Sequence, residues 1–102
     1  PSNYLHDGDV ISFGTHKLEV LRTPGHTPGS VVFYCKEENI AFTGDTLFYM
    51  SIGRTDLHGG NEDDMQKSLQ YLLSALPDNT LLYPGHGKKT TIGYERACNP
   101  YI

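Results

Sequence analysis

Three times in this chain an apolar stretch with strand character runs into a glycine turn, and the residue after the glycine is His or Asp. Leu18, Val20 and Leu21 lead into Thr23–Pro24–Gly25–His26. Ile40 and Phe42 lead into Thr43–Gly44–Asp45, and Leu81 and Leu82 lead into Tyr83–Pro84–Gly85–His86. Glycine admits a positive φ and lets the backbone approach a bulky neighbour closely. A side chain held just past a strand end is a functional group on a rigid support. One such turn reads as an ordinary turn. Three with the same grammar argue that His26, Asp45 and His86 converge at a common rim when the chain folds. Two imidazoles and a carboxylate suit zinc, manganese or iron(II), and not calcium, which takes oxygen ligands.

The periodicity around these turns changes along the chain. Val10, Ile11 and Phe13, then Lys17–Leu18–Glu19–Val20–Leu21, then Ser30 to Cys35, then Ile40 to Thr43 read as four strands with short links, an antiparallel sheet or meander. Met65, Leu69, Leu72, Leu73 and Leu76 then fall at i, i+4, i+7, i+8 and i+11, the apolar stripe of one amphipathic helix. Asn61 is its expected N-cap, Glu62, Asp63 and Asp64 fill the first turn, and Pro77 ends it. A strand is expected over Thr80–Leu81–Leu82–Tyr83 and a short C-terminal helix from about Thr91. The fold class is therefore α+β, in one domain over residues 1–102.

Composition narrows the function. A net charge of −4, with the basic residues scattered among the acids, excludes the one-sided basic surface of a nucleic-acid binder, and Lys88–Lys89 reads as a solvated turn. No apolar run approaches the roughly 20 residues of a membrane helix. Cys35 and Cys98 lack paired spacing and read as free thiols of a reducing, cytoplasmic compartment. The chain opens on Pro1, not Met, so an upstream segment is expected to be missing. His16 reads as a solvated hairpin-turn residue, His6 as part of a turn near the start, and His58 as a loop residue. Tyr49, Tyr83 and Tyr94 read as packing residues or as the lining of a substrate pocket.

Thr23–Pro24–Gly25–His26–Thr27–Pro28–Gly29–Ser30, Phe42–Thr43–Gly44–Asp45–Thr46–Leu47–Phe48 and Pro84–Gly85–His86–Gly87 resemble the metallo-β-lactamase superfamily. Ser51 to Leu57, Thr90 to Gly93 and Asn99–Pro100–Tyr101 extend the resemblance to the small, single-domain branch of glyoxalase II-like hydrolases. The resemblance implies half of an αββα sandwich, with this chain as the C-terminal half. It implies that His26 completes one metal's ligand set, that Asp45 bridges both metals and orients the attacking hydroxide, and that His86 belongs to the second metal. It further implies two zinc ions, with iron or manganese as alternatives, and a small ester or thioester as substrate. Asp56 is a candidate partner for a metal-bound imidazole, and Arg54 a candidate brace of its loop through a buried ion pair.

The departure from the family pattern is the absence of a His-x-His-x-Asp-His string. His58 is a smaller one, standing where this branch usually has proline. Shared between two metals, the trio offers each ion two protein ligands, too few for tight binding. The isolated chain is expected to bind metal weakly or not at all, to be inactive alone, and to self-associate through the sheet face left open by the missing half. Other readings stay open: an iron-dependent persulfide dioxygenase of the same superfamily, a non-catalytic binding or assembly domain that keeps the fold, and a one-metal oxygenase using the trio as a two-His, one-carboxylate face.

Overall fold

A computed structural model describes residues 7–56 and 59–102. His6 and His58 lie outside the described residues.

The period-2 segments form strands, within a residue or two of expectation: β1 (Val10–Phe13), β2 (His16–Arg22), β3 (Val31–Cys35) and β4 (Ile40–Gly44) pair in succession, all antiparallel. A small hairpin follows, β5 (Leu47–Phe48) with β6 (Ser51–Ile52), then helix α1 (Glu62–Ala75), β7 (Leu81–Pro84), β8 (Thr90–Thr91) and helix α2 (Ile92–Cys98). The main sheet has the order β1-β2-β3-β4-β7-β8. The expected four-strand meander is present, and β7 adds to it parallel to β4, a geometry that needs a crossover such as the α1 segment supplies. The hairpin β5–β6 and the two-residue β8 were too short to show a period.

Helix α1 forms where its signals predict. The Asn61 side chain accepts from the Asp64 backbone N–H at 2.9 Å, and the acids of the first turn sit at the positive end of the dipole. Its stripe of Met65, Leu69, Leu72, Leu73 and Leu76 packs on Leu21, Val32, Tyr34, Ala41 and Leu82 of the sheet, joined by Leu47 and by Ile92 of α2. Direct cross-strand partners share a face, so the row Val20–Phe33–Phe42–Tyr83 points the other way, away from α1. Phe42 in that row is 44% exposed and stacks on Tyr83 at 5.7 Å between ring centroids. Among the described residues no helix is long and apolar enough to cross a membrane.

Candidate metal centre

The three glycine turns leave the sheet from the same end, and specific bonds tie them together. Thr23 and Thr46, both fully buried, share a hydroxyl–hydroxyl hydrogen bond of 2.9 Å that links the first turn to the second. The Gly85 N–H donates to the Gly44 carbonyl at 2.8 Å, linking the third turn to the second where β4 and β7 run parallel. Helix α1 clamps the first turn: the Asn61 N–H donates to the Gly25 carbonyl at 2.7 Å, and the Ser68 hydroxyl to the Pro24 carbonyl at 2.6 Å. Gly25 has φ +149°, and a Cβ there would stand 2.5 Å from the Met65 Cα, so only glycine lets the helix sit so close.

His26, Asp45 and His86 do converge. His26 Nε2 lies 3.7 Å from Asp45 Oδ2, and His86 Nδ1 lies 3.3 Å from Asp45 Oδ1. Each imidazole therefore faces its own carboxylate oxygen. His26 Nδ1 is 2.8 Å from the Arg54 backbone carbonyl. A carbonyl can only accept, so Nδ1 carries a hydrogen and Nε2 is the ring atom turned toward the carboxylate. A ring nitrogen and a carboxylate oxygen 3.7 Å apart leave room for a cation, a metal ion or a proton, held between them. Oriented imidazoles of this kind are what metal ligation requires. The donor set thus fits a metal, laid out as a carboxylate with one imidazole on either side. Exposure rises from His26 (21%) through Asp45 (44%) to His86 (79%), so the site opens on the His86 side.

The supporting residues differ from expectation in two ways. Asp56 does not meet His26; its carboxylate takes Arg54 Nε at 2.8 Å and Arg54 Nη2 at 3.1 Å. That bidentate pair is exposed, not buried, and so contributes little to stability. Its hydrogen bonds and charge hold the Asp56 carboxyl below its ordinary range. Arg54 serves the site through its backbone carbonyl, a role its side chain does not announce. Gly53, unremarked in the sequence, lies directly against Asp45 and His26: a Cβ there would be 1.7 Å from the Asp45 carbonyl oxygen and 3.3 Å from the His26 Cβ.

Glu95 is the other residue that sequence reasoning missed. It is fully buried, accepts from the Met50 N–H (2.9 Å), the Thr90 hydroxyl (2.7 Å) and the Asn99 amide (2.8 Å), and so holds Met50 at φ +59° in the turn between β5 and β6. That turn presents Phe48, edge-on to His86 at 5.8 Å, and Tyr49. Tyr49 stacks on Tyr94 at 5.4 Å, with Lys88 Nζ 4.0 Å above its ring. The hydrogen bond with Tyr94, then the Lys88 ammonium, hold Tyr49 below its ordinary value, whereas Tyr94 is pushed up to about 12, first by that same bond. Tyr83 is taken up by its stack on Phe42. His16 begins β2 directly after the Gly14–Thr15 turn, with its side chain 43% exposed.

The likenesses to known proteins agree with this geometry. Residues 1–86 match the family pattern described as the metallo-beta-lactamase superfamily. Hydroxyacylglutathione hydrolase GloC of Haemophilus influenzae is 40% identical over 99 residues, covering 97% of this chain and 47% of its own length. The mitochondrial persulfide dioxygenase ETHE1 of Bos taurus is 40% identical over 103 residues, covering 97% of this chain and 41% of its own. The crystal structure of TTHA1623 in a di-iron-bound form superposes with a TM-score of 0.89 at 43% identity, over 100% of this chain and 49% of that one. The chain spans about half the length of the relatives it matches. A sheet carrying its helices on one face, three strand-end turns that bring two imidazoles to one carboxylate, and matches along nearly the whole length place this chain in the metallo-beta-lactamase superfamily.

Proposed function

We propose that this chain supplies one share of a two-metal hydrolytic centre, in a protein that opens a small ester or thioester in the manner of hydroxyacylglutathione hydrolase. His26 and Asp45 would hold one metal, Asp45 and His86 the other, with zinc the expected ion and iron or manganese the alternatives. The observation that carries this reading is the split approach of two imidazoles to separate oxygens of Asp45. Bound metals supply Lewis acidity and a water acidic enough to be ionised near neutral pH. The chain's own contribution is positional: the Arg54 carbonyl locks the His26 ring, and the Asp45 carboxylate is available to orient a water between the two imidazoles. Free Cys35 and Cys98 fit a reducing cytoplasmic setting.

Two protein ligands for each metal are too few to hold it firmly, so the 102-residue chain alone binds metal weakly at this centre and does not turn over substrate. The test is thioester hydrolysis and metal content of the full-length gene product, compared with its Asp45→Asn and His26→Ala variants. Each variant should lose metal affinity by about a hundredfold and activity with it. Undiminished hydrolysis in Asp45→Asn sinks the proposal. A second reading rests on the equal 40% identity to the persulfide dioxygenase. Iron as the resident metal, with oxygen uptake on a persulfide and no thioester hydrolysis, would select it instead.

A further inference from the structure

The end of the sheet opposite the His26–Asp45–His86 rim carries a second group of metal-ligating side chains. His16 opens β2 and Cys35 closes β3; because these strands are antiparallel neighbours, both residues lie at the same end. β2 separates them from the first centre by seven residues, roughly 20 Å at the usual strand rise. Glu37 follows in the turn to β4, and its Oε1 takes only a long hydrogen bond, 3.4 Å, from the Lys17 N–H. One imidazole nitrogen, the Cys35 Sγ and one Glu37 carboxylate oxygen all lie within 4.8 Å of one another, and this is the one such set found among the described residues.

A further observation points to a ligand here. His16 Nδ1 is buried and has no hydrogen-bond partner, and Glu38 Oε2 stands 4.0 Å away. Buried polar atoms are rarely left unsatisfied, and each exception asks for a cause such as a bound ion. A cavity of about 270 Å³ adjoins the group, lined by His16, Leu18, Cys35, Glu38, Ile40 and Phe42, so the His16 and Cys35 side chains border one space with largely apolar walls.

We propose that His16, Cys35 and Glu37 form a second site, for one divalent cation of zinc type. Mixed nitrogen, sulfur and oxygen donors select that class over magnesium or calcium. Donors around a tetrahedral zinc stand about 3.3–3.7 Å apart, given bond lengths of about 2.0–2.3 Å. The set therefore closes by about 1 Å, and Glu37 is exposed and free to supply that movement. Glu38 or a water completes the fourth position. Binding takes the thiolate, so the Cys35 proton leaves to solvent as the metal enters. The ion would staple the β1–β2 hairpin to the β3–β4 hairpin, independently of the hydrolytic centre.

Cobalt(II) titration of the 102-residue chain under reducing conditions tests this, because a thiolate ligand adds a near-ultraviolet sulfur-to-cobalt charge-transfer band. The band should saturate at one cobalt per chain. It should persist in Cys98→Ser and in the Asp45→Asn, His86→Ala double variant, and vanish in Cys35→Ser. His16→Ala and Glu37→Gln, which alter partly exposed positions and keep the buried thiol, should weaken cobalt binding at least about tenfold. Zinc should raise the thermal midpoint of the wild type and of the Asp45→Asn, His86→Ala variant alike, since a ligand held only by the folded state stabilises it. No charge-transfer band in the wild type, a band surviving Cys35→Ser, or undiminished affinity in both His16→Ala and Glu37→Gln overturns the proposal. None of those results bears on the trio at the other rim.

Discussion

Asp45 stands between the two imidazoles, and its backbone neighbours leave it little freedom. The Gly53 backbone lies against the Asp45 carbonyl, where a methyl group would overlap it. Gly53→Ala should therefore push the 53–54 segment off both His26 and Asp45. We expect a stability loss of about 1–3 kcal/mol by urea denaturation, and weaker metal binding at the trio in the full-length protein. Wild-type values of both would show that the loop yields without cost. Tyr71 gives a pH signature. Burial first, then its hydrogen bonds to the Asp7 carboxylate at 2.9 and 3.0 Å, push its phenol up to about 12. The folded chain thus keeps this proton when the unfolded chain, with an ordinary tyrosine near 10, has released it. The stabilisation is complete below about pH 10 and is lost as pH rises toward about 12. The stability gap between wild type and Tyr71→Phe, followed by denaturant midpoints, should shrink over that interval; a constant gap contradicts the assignment.

At the scale of elements, α1 is both the core's main contributor and the anchor of the first ligand turn. Leu69 and Leu72 are fully buried among the sheet residues. Leu69→Ala should cost about 2–5 kcal/mol through lost burial and a residual cavity. Asn61→Ala removes the cap on the Asp64 N–H and should cost about 1 kcal/mol, read as a lower denaturation midpoint. The Asn61 N–H also holds the Gly25 carbonyl, but that bond is made by the backbone and survives the substitution. His26 should therefore keep its place in Asn61→Ala. Metal affinity of the full-length variant that falls as steeply as in His26→Ala would show the cap to be part of the site.

The whole molecule is a sheet with its packed helix on one side and an apolar row on the other. Its radius of gyration, 12.9 Å, is close to the roughly 13 Å expected of a compact chain of about 100 residues. The opposite face still offers Phe42, 44% exposed, at the centre of the Val20–Phe33–Phe42–Tyr83 row. Surfaces of this kind associate. The 102-residue chain should dimerise with rising concentration in sedimentation velocity, and Phe42→Glu should shift it toward monomer. A single monomeric species at high concentration would end that expectation.

Local chemistry made much of this legible in advance. Strands β1 to β4, the limits of α1, its Asn61 cap and the short α2 followed from the spacing of apolar residues and from the breakers Gly and Pro, all of which act within a few residues. The convergence of the trio was legible for the same reason, since each of the three residues stands within four residues of the end of its own strand. Only tertiary structure decided how the parts meet. The parallel pairing of β4 with β7 sets His86 beside Asp45, and nothing in either segment encodes its distant partner. The bond from His26 goes to a backbone carbonyl, identical at every residue, so its choice of Arg54 leaves no mark in the sequence. Gly53 and Glu95 matter through what chain folding brings against them. Side-chain identity and spacing determined the elements and the candidate residues; long-range pairing and the position of main-chain atoms decided how they meet.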